Sequence, residues 1–372
     1  MLKSPQSNTS LASLMASIGA LFVTYLVCSS LIVPDLVNKS LVEGNSLSSG
    51  RYGVTFPAIE SIGELESDAI VTIGSSILQY ATDGACISEK LTTENTRVYN
   101  LAISGANPYT EMVQIPALSE MKPRMVLLDL GPNSLWNFYE SESLDDYIEF
   151  RFTVLSITAE LHAEGEWSDL LRERDRKYIA NSVHERMQLT SSYSQSTFDE
   201  LFLKHFHDVL DIPYYNRGMP EIGSDAWLSY LETPNFMPPK FETWNESEVD
   251  NWFQENMANN AKLGGYNPNP NGTLNHQALN FMIRTLTEAE IEVVLVAPPH
   301  HPLVYDYLQP GQIDGHNATL EFFEQTYGVQ SLNWYCETWE PGMFRDRNHL
   351  GDLGREYYCE RMAVELNHLL EG

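Results

Sequence analysis

The sequence predicts an α/β fold: a doubly wound, five-stranded parallel sheet interrupted by one large insertion. Five short runs point to the strands: Ala69–Ile73, Val98–Ile103, Met125–Leu130, Ile291–Val296 and Val329–Trp334. They are rich in Val, Ile and Leu and almost unbroken in apolarity, as expected of strands covered on both faces. After each run comes a turn signal and then helical spacing. The predicted helices are Ile77–Leu91, Pro108–Met121, His276–Ala289, Thr319–Tyr327 and Gly351–Leu369. Strict β/α alternation is the mark of a parallel sheet with helical crossovers.

A long stretch, residues 135–275, separates the third run from the fourth. An insertion after the carboxyl end of a strand lies beside the crevice where such sheets bind ligands. It is therefore expected to be a helical cap or substrate subdomain. Trp227, Trp244 and Trp252 within it could form a sugar-stacking platform, or could simply be core.

The N-terminus predicts an anchor. Residues Leu11–Val33 carry no charge and are mostly apolar, just long enough as a helix for a bilayer core of roughly 30 Å. Lys3 precedes the run, and Asp35, Lys39 and Glu43 follow it. The positive-inside rule then predicts a single-pass membrane protein with a cytoplasmic N-terminus and an extracytoplasmic body. Residues 1–10 are read as a tail and 34–66 as a stalk. Five N-x-[ST] triplets, at Asn8, Asn38, Asn245, Asn271 and Asn317, are compatible with export.

The 372 residues hold 51 acidic and 22 basic side chains, a net charge of −29. A surface of that sign repels a polyanion, so nucleic acid is excluded as a partner. Outside the expected anchor lie Cys86, Cys336 and Cys359. A Cys336–Cys359 bridge would staple the C-terminal loop in an oxidising compartment; three buried free thiols are the alternative.

The chemistry-bearing residues fall at the ends of the predicted strands. Gly74-Ser75-Ser76 comes after the first, and Asp346-Arg347-Asn348-His349 precedes the last helix. A Ser, an Asp and a His in that chain order are the parts of a nucleophilic triad. Ser76 at the start of a helix is the nucleophile favoured, with Ser75 its rival. Gly105, after the second strand, could turn its N–H toward a substrate. Asn133, in Gly131-Pro132-Asn133, could donate its amide to a developing oxyanion. His300 and His301, in a Pro-bounded loop after the fourth strand, are candidates for substrate contact. A metal site built from them with Asp346 and His349 is the weaker reading, because no His-x-His or H-E-x-x-H spacing is present.

These four blocks, in this order, resemble the SGNH (GDSL-type) hydrolase family, whose fold is doubly wound and flavodoxin-like. The resemblance covers residues 67–134 and 276–370. It implies that Ser76 is the nucleophile, His349 the general base and acid, and Asp346 its orienter. It implies an oxyanion hole from the N–H groups of Ser76 and Gly105 and the Asn133 amide. Ser75 departs from the family's Asp in the first block. No cofactor and no metal is implied. The expected function is that of a serine esterase or O-acyltransferase. Anchored members of the superfamily act on acylated cell-surface polysaccharides, so a glycan substrate, contact with the membrane through the N-terminal helix and a membrane-bound acyltransferase partner are expectations by analogy. The rival is a catalytically silent module that keeps the fold to bind polysaccharide or a membrane partner.

Overall fold

The computed structural model describes residues 6–28, 32–37, 52–65, 68–131, 142–159, 161–210, 220, 222–233, 241, 244–260, 273–308 and 310–371. Five strands, β1 Asp68–Ile73, β2 Thr96–Asn100, β3 Met125–Asp129, β4 Glu292–Ala297 and β5 Gln330–Asn333, form one sheet. Its order is β2-β1-β3-β4-β5 and every neighbouring pair is parallel. The predicted α/β class and strand count agree with this sheet. The chain leaves β1 toward one side of the sheet for β2 and then returns to the other side for β3. That reversal opens a crevice beyond the carboxyl ends of β1 and β3.

The helices that matter here are α1 Gln6–Val27, α2 Thr55–Gly63, α3 Ser76–Ala81, α4 Gly84–Lys90, α5 Ile115–Met121 and α6 Glu142–Thr158. They continue with α7 Val183–Leu210, α8 Asp225–Glu232, α9 Glu246–Asn260, α10 Leu274–Glu288, α11 Gln312–Tyr327 and α12 Asp352–Glu371. Successive strand residues point to opposite faces. Val71, Ile73, Val126, Leu128, Val293 and Leu295 pack under α2, α5, α10 and α11. Ile70, Val98, Met125, Leu127, Val294 and Val296 pack under α3, α4 and α12. Both faces are buried, which is why the strands read as continuous apolar runs.

The elements differ from expectation in several places, each with a local cause. The predicted helix Ile77–Leu91 is two helices. The Asp83 carboxylate accepts from the Cys86 N–H and starts α4. The Asn100 side chain donates to the carbonyls of Gln79 and Thr82 and closes α3. The expected stalk is partly body: Ala58, Ile59 and Ile62 share one face of α2 and are buried against the sheet. The insertion is not wholly apart either. Phe152 and Leu155 of α6 and Trp227 and Leu231 of α8 belong to the main core, and the Trp227 indole N–H donates to Ser61 Oγ at 3.0 Å. Trp227 is thus no sugar platform. The Asn- and Pro-rich run 266–272 lies outside the described residues.

The expected membrane anchor is corrected. Among the described residues no helix is long and apolar enough to cross a membrane. The described helix α1 covers Gln6–Val27, and residues 29–31 of the apolar run lie outside the described residues. The single-pass topology and the localisation built on it are not supported.

The expected cysteine pairing is also corrected. Cys86 of α4 bonds to Cys359 of α12, with their Cα atoms 6.2 Å apart, while Cys336 is free and exposed. The two helices lie side by side on one face of the sheet, so the partner is set by layer packing and not by nearness in sequence. The bridge closes a loop of 273 residues. Constraining so long a loop in the unfolded chain is worth on the order of 5 kcal/mol in the chain-entropy account. Reduction, or Cys86→Ser, is expected to lower the unfolding free energy, read from urea titration, by a large part of that value. An unchanged midpoint with and without reductant would refute it.

Candidate active site

Ser76 opens α3 directly beyond β1, at the switch point of the sheet. Its position is set by its neighbours. Ser75, extended at φ −82° and ψ −177°, caps the helix by accepting from the Ile77 N–H. The Ser75 N–H and hydroxyl both donate to Asp129 Oδ2, at 3.0 and 2.7 Å. The other Asp129 oxygen accepts from the Gly131 N–H at 2.9 Å. Asp129 is buried at the end of β3. Burial pushes its carboxyl upward, and the hydrogen bonds from Ser75 and Gly131 oppose that shift. Gly74 is required here, because a Cβ at that position would overlap the Asp129 side chain. The rival nucleophile Ser75 is therefore occupied as a cap.

The C-terminal loop supplies the other two members. Phe344 and Leu350 form an isolated antiparallel bridge, and Arg345 N–H donates to the His349 carbonyl at 3.0 Å. Inside this hairpin-like turn, Asp346 Oδ1 accepts from the N–H groups of Asn348 and His349, at 3.1 and 2.9 Å. This is the turn that an Asp side chain forms with backbone two residues ahead. It leaves the His349 ring facing the carboxylate, with Nδ1 at 2.8 Å from each oxygen. The far ring nitrogen, Nε2, lies 2.7 Å from Ser76 Oγ. Nδ1 thus donates to Asp346, and Nε2 is left as the acceptor for the Ser76 hydroxyl proton. The expected Ser76, His349 and Asp346 are brought together in the order a triad requires.

Tyr80, one helical turn after Ser76, stands edge-on to the His349 ring at 5.0 Å, and the Arg345 guanidinium covers the Tyr80 face at 4.9 Å. Sequence reasoning missed Tyr80 and Asp129. The signals were there: i+4 spacing from the nucleophile, and a lone carboxylate closing an otherwise apolar strand.

Gly105 sits in the loop after β2 with φ +76°, a conformation that favours glycine. Two contacts tie that loop to the nucleophile's own segment. The Ile103 N–H donates to the Gly74 carbonyl at 2.8 Å, and Ser104 Oγ donates to the Gln79 side chain at 2.8 Å. Asn133 lies outside the described residues. His300 is buried edge-on to Tyr335, and burial drives it down to about 3. It is packed and not presented to a substrate, which corrects that expectation. His301 is buried among Phe241, Phe253 and Phe344 and lines a separate cavity. Among the described residues no three His, Cys, Asp or Glu side chains converge on a metal position.

Burial by itself would raise Asp346; the hydrogen bonds from the His349 ring and from two backbone N–H groups outweigh it and hold the carboxyl at about 2. The unfolded-state value is near 3.9. A carboxyl depressed on folding contributes stability that is present above the unfolded value and lost as pH falls through the folded one. Between about pH 4 and pH 2 the protein should lose up to about 2 kcal/mol from this group. Asp346→Asn should flatten that part of the stability curve, and an identical acid limb in both proteins would count against it. For the second loop, Asp129→Asn turns one acceptor into a donor that faces backbone N–H groups. It should cost about 1–3 kcal/mol of stability. Urea titration reads the effect, and a midpoint equal to that of wild type would sink the supporting role of Asp129.

Compared with protein-family models and with curated proteins, the chain matches none.

Proposed function

We propose that this protein is a serine esterase or O-acyltransferase of the SGNH type that works through an acyl-Ser76 intermediate. One observation carries the reading: the Ser76 Oγ to His349 Nε2 contact of 2.7 Å, with His349 Nδ1 held on Asp346.

Those contacts dictate the order of proton and bond transfers. His349 Nε2 takes the hydroxyl proton while Ser76 Oγ attacks the ester carbonyl carbon. The carbonyl electron pair moves to oxygen, where the backbone N–H groups of Ser76 and Gly105 are the proposed donors. When the tetrahedral species collapses, the bond to the alcohol oxygen breaks. His349 Nε2–H returns its proton to that oxygen and the alcohol departs. A water or a second hydroxyl then attacks the acyl carbon while His349 Nε2 takes its proton; the bond to Ser76 Oγ breaks, His349 returns the proton to that oxygen, and the acid or the new ester leaves. Asp346 stays ionised throughout and favours the imidazolium formed in each half. The acylated glycan remains the substrate class favoured by the resemblance, and it belongs to the proposal with the rest.

The test is a fluorophosphonate probe on the full chain, read by intact-protein mass spectrometry. One adduct is expected on wild type and on Ser75→Ala, and none on Ser76→Ala. Asp346→Asn should label roughly 10³–10⁴-fold more slowly, because the ring loses its tautomer. An adduct that persists in Ser76→Ala, or no adduct on folded wild type, would overturn the reading.

A further inference from the structure

The loop after β4 and the helix α9 enclose a cavity of about 460 Å³ that the acyl-transfer chemistry does not use. Phe241, His301 and Phe344 line it and are themselves buried; Trp244 lines it as well. Glu246 and Asp250 stand on its exposed rim, and apolar residues such as Val249, Leu303 and Pro341 make up much of the remaining lining. Glu246 and Asp250 are four residues apart on α9, so their carboxylates share one helix face. Among the described residues neither makes an ion pair, and no lysine or arginine lines the cavity.

The remaining polar group is His301, 2 % exposed. Its Nδ1 accepts from the Leu303 N–H at 3.3 Å, so the neutral ring carries its proton on Nε2. Among the described residues nothing accepts from Nε2. Burial holds His301 down to about 4, against the pull of Asp250 and Asp346. Among the described residues the rim thus carries two carboxylates and no basic side chain.

Carboxylates above aromatic faces select a diffuse positive charge. An ammonium with alkyl substituents suits such a place, because it gains cation–π and Coulomb attraction and has little hydration to lose. The net charge of −29 adds to the attraction of cations to the surface. From this juxtaposition we infer that the cavity binds an organic cation with a quaternary ammonium head, seated on Phe241, Trp244 and Phe344 beneath Glu246 and Asp250. The site also touches the catalytic loop. His301 N–H donates to the Arg347 carbonyl and Phe241 N–H to the Arg345 carbonyl, both at 2.9 Å. A ligand there would sit against the far side of the turn that holds Asp346 and His349.

A neutral sugar could stack on the same rings, but its binding would not depend on the charge of the rim. The experiment uses that difference. Choline and its neutral carbon isostere, 3,3-dimethylbutan-1-ol, are titrated into the full chain by calorimetry, with methyl glucoside as a third probe. Saturable choline binding at least tenfold tighter than the isostere is expected. The double variant Glu246→Gln, Asp250→Asn keeps the shape and removes the charge; it should weaken choline at least tenfold and leave the isostere unchanged. Added salt should weaken choline binding to wild type and spare the isostere, a readout that needs no variant to fold. Three results would each overturn the inference: no saturable choline binding, equal affinity for the isostere, or a glucoside that binds more tightly than choline and ignores the double substitution. The assay reads binding alone, so it stands or falls separately from the acyl-serine reading.

Discussion

Asp129 is the group on which the site's geometry depends. It closes β3 beside the switch point, and its two oxygens receive hydrogen bonds from loops that come after two different strands. Charge-assisted bonds of this kind are stronger and shorter than neutral ones. Their geometric effect is as important as their energy. By fixing the Ser75 backbone and side chain, Asp129 fixes where α3 begins, and so where the Ser76 hydroxyl projects. A buried carboxyl is costly unless its acceptors are filled. Here the filling groups are those the site needs in place.

The partner half of the site is held in a comparable way. Asp346 uses one oxygen to shape its own turn and both to face the His349 ring. That turn is pinned on its outer side by backbone bonds from Phe241 and His301. The insertion therefore takes part in the support of the catalytic loop, although it supplies no member of the triad. The Cys86–Cys359 bond ties α4, next in the chain after the nucleophile's helix, to α12, next after the His349 loop. Cysteines 273 residues apart are thus joined, and the two halves of the site have little freedom to drift.

Much of this was legible from residue patterns, and the failures share a cause. The strands were found because two buried faces demand unbroken apolarity, and β1, β3 and β4 lie within a residue or so of their predicted runs. Ser76, Asp346 and His349, singled out because chemistry restricts residue type at the carboxyl edge of a sheet, stand within hydrogen-bond distance of one another. Where the reading went wrong, partners distant in sequence decided the outcome. Cys359 chose Cys86 because α4 and α12 are neighbours on the sheet. His300 was packed against Tyr335. The apolar N-terminal run was read by composition alone, and among the described residues no helix is long and apolar enough to cross a membrane.

By itself the sequence determined the α/β alternation and placed Ser75, Ser76, Asp346 and His349 beyond the carboxyl ends of strands or before the last helix. Each of these depends on local periodicity or on the chemistry of a single side chain. Only the tertiary structure decided that Ser76 and not Ser75 faces His349, that Asp129 binds the neighbouring serine, and that His301 belongs to a cavity with an acidic rim. Those outcomes turn on ångström distances between segments far apart in the chain. Hydrogen-bond geometry and packing set such distances, and neither is written in residue order.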